Sequence, residues 1–193
     1  MVRVESTFLL KLGAKAPDFT LIEPKTGRRV SLKDATFENG VLVAFICNHC
    51  PFVKWIAKEL RSLGEDLEKL NVGMVGISST DYEDYPEDSP EEIKRAAGSV
   101  YSTFPYLLDD AQDVAKAYGA NCTPDFFLLN KDGEVFYKGQ LDDSRPGSNI
   151  QVNGADIRNA VARMIAGEDP PANQKRAMGC SIKWKAGNAP DYA

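Results

Sequence analysis

No stretch of this sequence approaches the roughly 18 consecutive apolar residues that a membrane-spanning helix needs. The opening MVRVESTFLLKLGAKAPDFT holds one short apolar cluster, broken by Lys11, Gly13 and Lys15, and lacks the uninterrupted apolar core of an export signal. Both absences predict a soluble, cytoplasmic protein with no membrane partner. Basic runs are also missing. The net charge is −5 and the lysines and arginines are scattered, which argues against a nucleic-acid partner, since such proteins carry a basic patch. There is no internal repeat and no low-complexity segment. Histidine is almost absent, with His49 the only one. Cysteine is scarce: Cys47, Cys50, Cys122 and Cys180. They make a single Cys-x-x-Cys pair, where a closed zinc site usually draws on two such pairs.

What is present suffices for a folded domain. The chain has 193 residues, 43% of them hydrophobic and 26% charged, enough for one core plus extensions without disulfide staples. Phe19 to Ile22 and Arg29 to Leu32, joined across Thr26-Gly27, predict an N-terminal hairpin. The continuous apolar run VLVAFIC, Val41 to Cys47, predicts a strand buried on both faces. Val53, Ile56, Leu60, Leu63, Leu67 and Leu70 recur at helical spacing. Pro51 suits the first helical position, and Gly64 weakens the interior by roughly 1 kcal/mol relative to Ala.

VGMVGISS, Val72 to Ser79, reads as a second buried strand. An acidic loop, Asp81 to Glu92, reads as solvated, with Ser89 capping a helix opened by Pro90. Ala111 to Tyr118 suits a short helix, DFFLLN and EVFYKG a hairpin, and Gly154 to Ala166 a last amphipathic helix. Core elements are expected to end near GEDPPANQ. The predicted organisation is an α/β domain over 1–169, a mixed sheet flanked by helices, with a C-terminal tail over 170–193 packing on or near it.

The chemistry concentrates in FICNHCPFVK. A strand ending at Cys47 and a helix opening at Pro51 leave Cys50 near the helix N-cap, where unpaired amides and the positive end of the helix dipole face it. A thiolate there is stabilised and its pKa falls below about 8.5. Lys54 and a protonated His49 would add to the effect. Cys50 is therefore the expected nucleophile. Cys47 either reaches Cys50, since the spacing allows a disulfide, or points into the core.

GAKAPDFTL, FICNHCPFVK, YPEDSPEE, TPDFFLLNKDG, GQLDDSRPG and GCSIKWK together resemble the thioredoxin fold. Within it they resemble the peroxiredoxin-like branch of the alkyl hydroperoxide reductase and thiol-specific antioxidant superfamily. The resemblance spans nearly the whole chain. It implies that Pro124 is the cis-proline facing the active-site cysteine, and that Thr123 offers its backbone to an extended thiol substrate. It also exposes departures. Cys50 matches the first cysteine of the thioredoxin motif, but the second position holds Val53. Aligned on Cys50, the peroxiredoxin Pro-x-x-x-Thr-x-x positions hold Val43 and Cys47. The peroxide-polarising hydroxyl is absent from its usual place, which favours thiol–disulfide exchange.

Other residues carry two readings each. Cys122 is a resolving thiol or a third soft ligand, or else a small buried hydrophobe. Cys180 resolves the nucleophile from the tail, or packs there while Trp184 pins the tail. His49 assists proton transfer or binds metal, or is an exposed loop residue. Arg145 approaches the thiolate, or forms a local ion pair with the aspartates beside it.

The expected function is thiol–disulfide oxidoreduction and antioxidant activity through the Cys47-x-x-Cys50 motif, with Cys50 attacking and Cys47, or in its place Cys122 or Cys180, resolving. The partners are a protein or small-molecule thiol or disulfide, and no cofactor is called for. The alternatives are a peroxiredoxin-type peroxidase acting on peroxide, or a copper or zinc protein using Cys47, Cys50, Cys122 and His49. The oligomeric state is left open, a homodimer included.

Overall fold

The computed structural model describes residues 3–193; residues 1 and 2, where the expected domain begins, lie outside the described residues. Its centre is a seven-stranded mixed sheet in the order β3-β2-β6-β5-β4-β8-β9. The strands are β2 (Thr20–Ile22), β3 (Arg29–Ser31), β4 (Gly40–Phe45), β5 (Val72–Ser78), β6 (Tyr106–Leu108), β8 (Asp125–Leu129) and β9 (Val135–Gly139). β4 runs parallel to β5 and antiparallel to β8. The two predicted hairpins are β2–β3 and β8–β9.

β4 shows why the apolar run predicts a central strand. Successive side chains point to opposite faces, so Leu42 and Ala44 enter one core, while Val41, Val43 and Phe45 enter the other. β8 does the same with Phe126 and Leu128 against Phe127 and Leu129. The first core is covered by α2 (Pro51–Lys69), α3 (Pro90–Ala97) and α5 (Ala155–Ile165). The second is covered by α1 (Leu32–Ala35) and α4 (Asp113–Tyr118). Helices thus flank both faces of the sheet. Among the described residues no helix is long and apolar enough to cross a membrane.

Three features differ from the sequence expectation. The tail contains a strand, β10 (Met178–Ser181), so regular structure continues past GEDPPANQ. β10 lies between β1 (Arg3–Glu5) and the two-residue β7 (Cys122–Thr123) in a small second sheet. Such short strands carry no readable alternation; long-range pairing makes them. Gly64, read as a weak point of α2, is instead a point of contact. A Cβ there would lie 2.4 Å from Thr103 Oγ1 on a neighbouring loop. Finally, the acidic loop is not wholly solvated, because Asp88, at the end of a single 3-10 turn (Pro86–Asp88), is fully buried.

Candidate active site

Cys50 is the N-cap of α2 and Pro51 its first residue, as the sequence predicts. The carbonyl of Cys50 accepts the first helical bond from Lys54 N–H at 3.0 Å. The peptide bond between Thr123 and Pro124 is cis, again as expected. Thr123, the residue before that bond, reaches two sulfurs. Its hydroxyl lies 3.2 Å from Cys47 Sγ and its carbonyl oxygen 3.2 Å from Cys50 Sγ.

The tail supplies the closest sulfur. Cys180 Sγ lies 2.7 Å from Cys50 Sγ, and both side chains are buried. β10 runs antiparallel to β7, with Cys180 opposite Thr123 and Ser181 opposite Cys122. The packing alternative for Cys180 is therefore joined by contact with the expected nucleophile. Trp184, further along, packs against the second core.

These contacts set the order in which the sulfurs lose protons. The neighbouring Cys180 thiol, and after it the Cys47 thiol, stabilise the Cys50 anion, and together they outweigh the burial that opposes charge; Cys50 is held well below the usual thiol range. The Val53 amide in the first turn of α2 contributes least of the named causes. The expected direction is present, but its main source is a neighbouring thiol and not the helix end. Cys180 is pushed up, first because its proton is shared with Cys50 and then by burial. Cys47 is pushed up as well, chiefly by burial. Cys122, buried with Sγ 3.8 Å from the Pro124 carbonyl, is pushed up by burial above all.

His49 is not an exposed loop residue. It is only 9% exposed, its ring stacks on Tyr85 at 4.8 Å between centroids, and Nδ1 bonds Asp88 Oδ2. The other Asp88 oxygen accepts the Asn48 N–H. Among the described residues, Cys47, His49 and Asp88 bring one ligand atom each within 4.8 Å of one another. This differs from the alternative metal set read from sequence, in which Cys50 and Cys122 appear and Asp88 does not. The direct bond between His49 and Asp88 ties up one donor atom of each. Asp88 was hidden in sequence by its acidic neighbours; nothing in the composition of the loop separates it from them.

Arg145 serves its own loop. Its guanidinium donates to the carbonyls of Asp142 (2.8 Å) and Ser144 (2.6 Å) and to Gln140 Oε1. The local reading is the one observed, with carbonyls in place of the expected carboxylates. Arg145 also lines a small cleft with Phe52, Pro124 and Met178, beside β10.

Residues 12–138 match the AhpC/TSA family. The chain belongs to that family. A structure of an uncharacterized conserved protein from Geobacillus kaustophilus is similar to it along almost its entire length. The identity is 46%, the TM-score 0.93, and the match covers 98% of this chain and 99% of that one. The thioredoxin domain of a thiol-disulfide oxidoreductase from Bacteroides vulgatus shares the fold, at 24% identity and a TM-score of 0.57 over 79% of this chain and 99% of that one. The fold is thioredoxin-like. Among curated relatives, the thiol-disulfide oxidoreductase ResA of Bacillus anthracis is 27% identical over 126 residues, 65% of this chain and 68% of the relative.

Proposed function

We propose that this protein is a thiol–disulfide oxidoreductase in which Cys50 is the nucleophile and Cys180 the resolving thiol. The observation that carries the reading is the 2.7 Å approach of Cys180 Sγ to Cys50 Sγ. The similarity to ResA, named a thiol-disulfide oxidoreductase, supports the reaction class.

The Cys50 thiolate attacks one sulfur of a protein or small-molecule disulfide. A mixed disulfide forms, the substrate's S–S bond breaks, and the departing thiolate takes a proton. Cys180 then loses its proton and attacks Cys50 Sγ. The Cys50–Cys180 disulfide forms and the second substrate thiol leaves. The substrate is reduced by two electrons and the protein oxidised by two; an external dithiol resets it.

The causes of the pKa shifts favour Cys180 over Cys47 as resolver. The largest contribution holding the Cys180 proton is the Cys50 sulfur beside it, and that anion disappears once the mixed disulfide forms. The largest contribution holding the Cys47 proton is burial, which persists. The four cysteines are thiols in this structure, which suits a reducing compartment such as the cytoplasm.

A second reading, peroxide reduction, draws on Thr123. Its hydroxyl reaches Cys47 and also lowers the Cys50 pKa, which supports a hydrogen-bond donor for peroxide beside this pair of sulfurs. The two readings part in one comparison. Disulfide-reducing and peroxide-consuming rates are measured for the wild type and for Cys50→Ser. Loss of the first activity alone is the expected result; equal disulfide reduction by both proteins removes Cys50 and the proposal with it.

A further inference from the structure

All four sulfurs are buried, and Cys50 has no exposed surface at all. An external disulfide of any size cannot reach Cys50 while the structure stays as it is. The element in the way is β10. It pairs with the edge of β7 immediately before cis-Pro124, the edge on which an extended polypeptide would add as a strand. It presents its cysteine directly opposite Thr123 and onto Cys50. The residue before that cysteine is Gly179. A Cβ at this position would lie 2.0 Å from the Thr123 carbonyl oxygen and 3.1 Å from Pro124 N, so only glycine lets the strand settle this close. Just two residue pairs join β10 to β7, and the chain leading to Met178 from Ala166 has no regular structure. Parting this edge breaks those two pairs and the flanking bond from Ile182 N–H to the Asn121 carbonyl, while the pairs between β10 and β1 can persist, so the opening is local and not global.

We propose that β10 is a built-in substrate strand. It fills the edge on which an extended, cysteine-bearing protein segment docks, and β7 and β10 must part before Cys50 meets such a partner. The partner this edge fits is a disulfide in extended chain with glycine immediately before its cysteine, because the Thr123 carbonyl leaves no room for a side chain there. The exchange is the one written above: the partner's S–S bond breaks as its sulfur joins Cys50, and Cys180, returning with β10, releases it. The inference rests on the proposed exchange activity.

Two measurements test it. The first uses full-length protein keeping only Cys50 (Cys47→Ser, Cys122→Ser, Cys180→Ser), with and without Gly179→Val. Alkylation of Cys50 should accelerate on the order of ten-fold when the added side chain pushes β10 off β7; an unchanged rate overturns the proposal. The second leaves position 179 of the protein alone, in case that variant does not fold. A hexapeptide of the sequence Ala-Met-Gly-Cys-Ser-Ile, carrying a chromogenic thiol on its cysteine, is offered to the wild type beside the same peptide with valine for glycine. The glycine peptide should react on the order of ten-fold faster; equal rates overturn the proposal. Exchange that is indifferent to glycine removes only this inference. Absence of exchange with any disulfide, in every form of the protein, removes the exchange reading itself.

Discussion

Cys180 Sγ lies 2.7 Å from Cys50 Sγ, although the two residues are 130 positions apart in the chain. The contact makes Cys180 the chief cause of the low Cys50 pKa. Replacing Cys180 with alanine removes that contact. We expect the Cys50 pKa to rise toward the ordinary thiol value of about 8.5, read from ultraviolet thiolate absorbance against pH. In the wild type a depressed pKa keeps the thiolate populated into the acid range, so alkylation of Cys50 in a locally opened state should persist there. In Cys180→Ala it should fade as pH drops below neutral. Superimposable titrations would assign the stabilisation to the helix end instead.

Asp88 ties the active-site loop to the turn that precedes α3. It is fully buried and accepts from the Asn48 amide and from His49 Nδ1. Alanine there leaves two buried donors without an acceptor, at a cost of about 1–3 kcal/mol each. Asp88→Ala should lower the unfolding free energy by about 3 kcal/mol, read by urea denaturation. A loss below about 0.5 kcal/mol, the scale of an ordinary surface substitution, would mean that water replaces the carboxylate at both donors.

The contrast between Cys50 and Asp88 shows where sequence reading stops. Cys50, Pro51 and the apolar spacing of α2 form one local pattern, so the N-cap position follows from the residues themselves. The alternation that buries both faces of β4 is equally local, and cis-Pro124 came with the family resemblance. Asp88 and Cys180 are different. One is a single acid in an acidic loop, and the other a cysteine in a tail. Their importance arises only when the chain folds back on Asn48 and on Thr123. Strand β10 was invisible because it is four residues long and held by partners at both ends of the sequence.

Gly64 reverses a prediction of its own. Propensity alone makes Gly64→Ala a gain of roughly 1 kcal/mol. In the fold, the new methyl would meet Thr103 Oγ1 at 2.4 Å and Phe104 at 3.0 Å, and Thr103 is held by its bond to the Arg61 carbonyl. Overpacking of this kind costs about 1–3 kcal/mol. Thermal unfolding of Gly64→Ala should therefore show a lower midpoint than the wild type; a higher one would mean that the loop at Thr103 yields freely.

Asp125, the residue after cis-Pro124, gives a pH prediction whose sign follows from burial. Its side chain is buried beside Cys122, Oδ1 accepts the Phe126 N–H at 3.1 Å, and Oδ2 has no partner among the described residues. Burial pushes its pKa well above the usual carboxylate value, against smaller opposing effects from the Phe126 amide and Lys138. An unfolded aspartate ionises near about 3.9. Above that pH the unfolded chain has lost a proton that the folded chain still holds, so this residue's contribution to stability falls as pH rises, up to the folded pKa. Asp125→Asn cannot ionise and removes the slope. Unfolding free energies of the two proteins, measured at several pH values from about 4 upward, should diverge in favour of the variant as pH increases, whatever the offset between them at the acid end. The difference between the proteins cancels every other titrating group, so parallel profiles would show that Asp125 ionises as easily inside the fold as outside it.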